Sequence, residues 1–275
     1  MRTYGSGCAG RLRRLGGLSV IVTLPLAGCV AFSTDRQVNY GLGHYEMGLY
    51  TQAIPPLLRA ARSLEGQTPP DRRLPHVLIA LGTMAANDKR DDLAADFFQR
   101  ALRAAEALSP ADETQLRNAL VHLGLFYVER HRAADAISLF ERARGISQRL
   151  PQRFLYAIDL DNLGLAFQGV GRHADANALS FQALAVLDAT ASGPMESKTR
   201  GVILHNLAVS YVDQGRDAEA EPLYRQSLDL LTAGYPRDVE RWRLRTVLRN
   251  YADLLRRTAR AEEARALERR LEQVR

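Results

Sequence analysis

The sequence is short of several residue types that carry chemistry. Its 275 residues include 2 cysteines, Cys8 and Cys29, too few for a disulfide framework. Of 37 Lys and Arg residues, only Lys89 and Lys198 are lysine, and no acidic residue precedes Asp35. The apolar stretch from Leu15 to Leu26 is about 12 residues long, well short of the roughly 20 that a membrane-spanning helix needs. G-x-S-x-G, H-E-x-x-H, C-x-x-C and a Walker-type glycine loop are all missing, which removes the common hydrolase, metalloprotease, redox and nucleotide-binding readings. The 6 histidines are dispersed, at 44, 76, 122, 131, 173 and 205, without carboxylates at ligand spacing. No catalytic residue, metal, cofactor or small-molecule substrate is therefore assigned, and the chain is expected not to be an enzyme.

What is present begins with an address. Arg2, Arg11, Arg13 and Arg14 precede the apolar stretch, and small residues close it, which together describe a secretory signal peptide over 1 to 28. The ending Leu26-Ala27-Gly28-Cys29 resembles the lipobox of bacterial lipoproteins. That resemblance implies cleavage before Cys29, lipid on its sulfur, and a tether over 29 to 36. Several acyl chains on one residue anchor a protein stably, where one chain binds only marginally. Val30, where an Asp would resemble the inner-membrane retention signal, points to an outer-membrane lipoprotein facing the periplasm.

Removing the address changes the meaning of the charge. The formal net of +6 suggests an acidic polymer as partner, but four arginines leave with the signal, so 33 basic residues face 31 acidic ones. A nucleic-acid partner is excluded on that balance and on export.

The mature chain is periodic. Gly or Ala recurs at 41, 82, 124, 164, 208 and 252. Twelve residues after each stands Ala53, Ala94, Ala136, Ala176, Ala220 or Ala264; sixteen after stands Leu57, Phe98, Phe140, Ser180, Tyr224 or Glu268. Leu120, Leu123, Gly124 and Tyr127 share one face of a first helix, and Ala136, Phe140 and Ala143 one face of a second. Gly48, Gly171 and Gly215 are expected to end first helices in a left-handed conformation, and Ser109-Pro110 to start one.

These registers resemble the tetratricopeptide repeat, in the long-helix form of kinesin light chains, over residues 37 to 275. The resemblance implies an all-α, right-handed α-solenoid of about six helical hairpins, near 37–68, 71–109, 111–150, 151–190, 196–234 and 238–275. Ser180 and Glu268 depart from the aromatic register; neighbouring Phe181 is expected to serve for the first, and a water-facing terminal unit explains the second.

The resemblance also implies a concave groove, lined by first helices, that binds peptides or protein partners. Two residues before the small position stand His122, Asn162, Asn206 and Asn250, a row whose carboxamides suit the backbone of an extended peptide. The alternative is that the same amides bond adjacent helices and fix the stacking. Leu125, Leu165 and Val209 give an apolar floor or ordinary inter-unit core, and Asp161, His205 and Arg249 stand one before the row. The arginine-rich end around Trp242 reads as a solvated terminal face with intrahelical pairs. The sequence thus points to an envelope adaptor that gathers proteins at a membrane, with a pilotin-like assembly factor for an outer-membrane complex as the alternative.

Overall fold

The computed structural model describes residues 26–108, 111–190, 193–233 and 241–274, with the backbone alone for 26–33 and 241. Most of the expected signal segment lies outside these residues, as do the Cys29 side chain and the Ser109-Pro110 start signal. Twelve helices and no strand occur among the described residues. They pair as α1 (Leu26–Glu46) with α2 (Tyr50–Glu65), α3 (Leu74–Asn87) with α4 (Asp91–Glu106), and α5 (Glu113–Glu129) with α6 (Ala133–Ser147). The second half pairs α7 (Arg153–Gly169) with α8 (His173–Asp188), α9 (Pro194–Asp213) with α10 (Asp217–Ala233), and α11 (Arg241–Arg257) with α12 (Ala261–Gln273). The result is an all-α helical-repeat solenoid of six hairpins.

The periodic registers hold each hairpin shut. The small residue lets the two backbones approach, and the side chain sixteen residues on covers it. A Cβ at Gly124 would lie 2.5 Å from the Phe140 ring, and one at Gly82 would lie 2.8 Å from Phe98. The alanines twelve residues on are all buried, as are the leucines Leu78, Leu120, Leu160, Leu204 and Leu248 four residues before the small position. Burying a leucine contributes about 1.5–3 kcal/mol, so each of these positions adds materially to the stability of the stack.

The turns are equally regular. Seven residues after each small position the backbone turns left-handed: Gly48, Gly171 and Gly215 as expected, and Lys89, His131 and Ala259 in the other three units. One residue further stands Arg132, Arg172 or Arg216, with Arg90 and Arg260 at the same register. In units three to five its guanidinium lies over an aromatic of the first helix, Tyr127, Phe167 or Tyr211, at 4.2–4.6 Å. The same guanidinium pairs with the acid three residues on, Asp135, Asp175 or Glu219. A flat cation that stacks and forks at once is arginine and not lysine, which accounts for part of the arginine bias.

The expected tether differs. α1 starts at Leu26, so the backbone over 29–36 is helical and continuous with the first hairpin. Thr34 and Val38 are buried, and Thr34 meets Ser63 of α2 at 2.9 Å, so packing against α2 holds this stretch in the fold. At the start of α5 the cap is Asp112, whose carboxylate accepts from the Gln115 N–H at 3.1 Å.

Candidate functional site

Each first helix packs closely against the first helix of the next unit, whereas second helices of successive units stand further apart and meet through long side chains, such as Arg100 with Glu65 and Arg142 with Glu106. Such a stack closes on the first-helix side and opens on the other, so α1, α3, α5, α7, α9 and α11 line the concave face. The row His122, Asn162, Asn206 and Asn250 lies there, one residue from each of α5, α7, α9 and α11.

The amides of this row follow a bonding rule. Asn206 Nδ2 donates to Asp161 Oδ2 at 2.6 Å, and Asn250 Nδ2 meets His205 Nε2 at 3.0 Å. In both cases the asparagine reaches the residue one position before the row in the preceding unit. His205 Nδ1 lies 3.2 Å from Asn206 Oδ1, and Ser180 Oγ donates to Asp161 Oδ1 at 3.3 Å. The donors run in one direction: Asn250 to His205, His205 to Asn206, Asn206 to Asp161. That order assigns the proton of the neutral imidazole to Nδ1.

Burial sets the protonation of the relay. The Asp161 carboxyl is pushed up to about 6 by burial, against the Asn206 and Ser180 hydrogen bonds and the Arg243 charge. His205 is pushed down to about 4 by burial, so it is neutral near pH 7 as the relay requires. His122 is also pushed down to about 4, by burial with His76 and Arg117 adding to it.

The rule breaks once. For Asn162, the residue one before the row in the preceding unit is Val121, which offers no acceptor. Asn162 is only 7% exposed, and its Nδ2 has no hydrogen-bond partner among the described residues. The stacking role of the row is therefore filled at Asn206 and Asn250 and unfilled at Asn162.

The remaining expected positions divide. Leu125, Leu165 and Val209 are partly buried, and Leu125 and Val209 pack against the inter-unit core while keeping part of their surface on the concave side. Asp161 is buried, His205 partly buried and Arg249 exposed, so the three residues before the row do not form one charged strip. Phe181 does not fill the gap left by Ser180. It is 51% exposed, while Ser180 is buried and bonds Asp161; a polar pair replaces the ring in that unit. At the terminal unit, Arg256 reaches Asp253 and Glu268, Arg260 reaches Glu221 and Glu263, and Arg265 reaches Glu262.

One buried contact between units three and four was not expected. Arg117 donates through Nε and Nη2 to both oxygens of Asp159, at 2.7 and 2.6 Å, and through Nη2 to the Leu155 carbonyl at 3.3 Å. Both side chains are buried. The available signal was Asp159 itself, an acid at a register that is Val77, Ala119, Ile203 and Val247 in other units.

Among the described residues no group of His, Cys, Asp and Glu is arranged to hold a metal, and no helix is long and apolar enough to cross a membrane.

Comparison with known proteins agrees with this geometry. Two family models described as tetratricopeptide repeat match residues 115–189 and 201–233. No curated protein matches the sequence. Among solved structures, the quorum sensor NprR from B. thuringiensis is similar at 14% identity and a TM-score of 0.64, covering 90% of this chain and 68% of that one. BtubC (BKLC) from P. vanneervenii is similar at 16% identity and a TM-score of 0.57, covering 88% and 90%. A kinesin light chain repeat protein from Podosopora anserina is similar at 18% identity and a TM-score of 0.51, covering 72% and 93%. These likenesses carry the fold.

Proposed function

Since the chain is a tetratricopeptide-repeat protein, we propose that it is an envelope adaptor, binding segments of partner proteins along its concave face while lipid on Cys29 holds it at a membrane. Tetratricopeptide solenoids serve as protein–protein interaction scaffolds, and the observation that carries the reading is the concave face itself. It presents partly exposed apolar side chains, Leu125, Leu165 and Val209, beside polar groups on successive helices. An open face of that composition accepts an extended chain, with apolar contacts for affinity and amides for register.

The anchor reading is supported by the Leu26-Ala27-Gly28-Cys29 ending and by a basic, acid-free leader before it. Export followed by outer-membrane delivery places the solenoid in the periplasm. Because α1 runs on from the anchor position without a linker, lipid there holds the first hairpin close to the bilayer.

Two measurements test the reading. A photocrosslinking residue at Leu165, on the concave side, is expected to capture a discrete partner in cells, whereas one at exposed Phe181 of α8 is not. Capture from Phe181 alone, or from neither, removes the groove from the mechanism. The variant Cys29→Ala is expected to leave the membrane fraction; retention there removes the lipid.

A further inference from the structure

The first hairpin turns differently from the other five. Eight residues after the small position stand Arg90, Arg132, Arg172, Arg216 and Arg260, so every later turn carries a cation. The first turn reads Met47-Gly48-Leu49-Tyr50, and no charged residue occurs between Glu46 and Arg59. Met47 is 63% exposed, and Leu49 and Tyr50 are exposed beside it. The backbone of this turn is already bonded: the Gly48 N–H donates to the Tyr45 carbonyl at 2.9 Å and the Leu49 N–H to the His44 carbonyl at 2.8 Å. An apolar tip with its turn amides satisfied enters the headgroup region of a bilayer without carrying unbonded donors into it.

The apolar edge continues along α1. Tyr40 is 54% exposed, whereas its equivalents Leu81, Leu123, Leu163, Leu207 and Tyr251 are buried. Met47 follows Tyr40 by seven residues, two helical turns, so the two positions share one side of the hairpin. Position 29 precedes Tyr40 by eleven residues, three turns or about 16 Å, and falls on that same side of the continuous helix. A single exposed tyrosine needs no account, but one aligned with both an uncharged tip and the anchor position describes an edge that lies on a surface. Tyrosine suits a bilayer boundary, since its ring sits among the acyl ends of the headgroups while its hydroxyl stays wet. Arg36, exposed one turn before Tyr40, supplies a cation for lipid phosphates.

We propose that this edge of the first hairpin is a bilayer-docking surface, on which Tyr40, Met47, Leu49 and Tyr50 lay α1 flat along the membrane while lipid on Cys29 tethers the chain. The tip orients the solenoid and does not hold it alone, because a few partly inserted side chains bind more weakly than acyl chains. Units two to six then stack away from the membrane, which keeps the concave face clear of lipid. For its tether this assignment rests on the anchor reading above; the docking surface itself rests on the exposed edge.

The test uses the full chain purified from membranes and reconstituted into vesicles of phosphatidylethanolamine and phosphatidylglycerol, with the mass of its N-terminal peptide reporting lipid on Cys29. An environment-sensitive fluorescent residue is encoded at Thr51, exposed at the tip, or at Ser138, exposed on α6. Lipid-borne spin labels are expected to quench the probe at Thr51 and to leave the probe at Ser138 unquenched. Met47→Arg with Leu49→Arg is expected to abolish that quenching. Arginine stands at both registers in unit three, as Arg130 and Arg132, so the fold accepts it there. Should the pair fail to fold, Tyr50→Asp carries the same expectation, with Asp91 and Asp217 at its register. Lipid on Cys29 with an unquenched probe at Thr51, or quenching that survives the arginine pair, overturns the docking surface and leaves the anchor. Quenching without lipid on Cys29 removes the anchor and leaves the docking surface; absence of both removes both. A probe at Thr51 that is shielded yet unquenched gives the tip to a second copy of the chain and overturns the proposal as well.

Discussion

Arg117 and Asp159 form a two-point ion pair across the junction of units three and four, with both side chains withdrawn from water. Burial pushes the Asp159 carboxyl up, and the Arg117 guanidinium opposes it. Each charge here depends on the other for its solvation. Asp159→Ala is therefore expected to destabilise by about 3–5 kcal/mol, because an uncompensated guanidinium remains. Replacing both, as Arg117→Met with Asp159→Leu, is expected to be near neutral, since a well-packed apolar pair avoids the desolvation cost. Urea unfolding of the three proteins checks both; equal losses for the single and double variants would show that the pair contributes net stability.

The relay through Asp161 makes a second expectation, in pH. Asp161 is raised to about 6, so its contribution to stability is present below the ordinary carboxylate range and is lost as pH rises through 6. His122 and His205 are lowered to about 4, so theirs is present above 6.5 and is lost as pH falls toward 4. Two histidines outweigh one carboxyl, and the chain is expected to lose a few kcal/mol between pH 7 and pH 4. Asp161→Asn removes the opposing group and the buried charge together. Its melting temperature is expected to rise at pH 7.5 and to fall more steeply on acidification than wild type. A lower melting temperature at pH 7.5 would mean that the charge of Asp161, with its hydrogen bonds to Asn206 and Ser180, stabilises the fold.

The helix pairs were legible in the sequence because packing volume sets their registers: Gly124 is small where Phe140 is large, and the same exchange repeats down the chain. The row of asparagines was legible for the same reason of period. Its use was not, since the partner of each amide is fixed by one residue in the preceding unit, an acid, a histidine or a valine. Ser180 illustrates the same limit. It departs from the aromatic register, and only the bond to Asp161 shows why a ring there would leave a buried carboxylate short of a donor. The helical start at Leu26 was missed because a tether was expected to follow the anchor, whereas Thr34 and Val38 pack on α2.

The hairpin contacts predict different outcomes for two equivalent glycines. Gly124→Ala places a Cβ 2.5 Å from the buried Phe140 ring, and overpacking of this kind costs about 1–3 kcal/mol. Gly164→Ala meets the Ala176 carbonyl oxygen at 3.2 Å, the Ser180 hydroxyl at 3.7 Å and the Ala176 Cα at 3.8 Å, and no aromatic ring stands among these nearest neighbours. Its gain in helix propensity, about 1 kcal/mol, offsets that tightness, and near-neutrality is expected. Equal destabilisation of the two would contradict the role given to the ring.

At the turns, Ala259 adopts φ +61 where Gly48, Gly171 and Gly215 occupy the same register. A Cβ in the left-handed region costs about 1 kcal/mol or more, and the terminal turn has no contact that requires alanine's methyl. Ala259→Gly is expected to raise stability by about 1 kcal/mol, read as a shift of the urea midpoint at unchanged slope. Gly215→Ala should move the midpoint the other way by a similar amount.

The arginine bias is testable at one turn. Arg172 lies over the Phe167 ring at 4.2 Å, and its Nε donates to Asp175 at 2.7 Å. Arg172→Lys keeps the positive charge but loses the flat stack and the fixed N–H that reaches Asp175. A partly exposed cation–ring contact is worth about 0.5–1 kcal/mol, and an exposed ion pair contributes less. Arg172→Lys is thus expected to cost close to that amount, and Arg172→Lys with Phe167→Leu no more than Phe167→Leu alone. The coupling energy of that double-mutant cycle is the diagnostic quantity. A value near zero would show that charge alone selects the residue, leaving the scarcity of lysine at these turns without a structural cause.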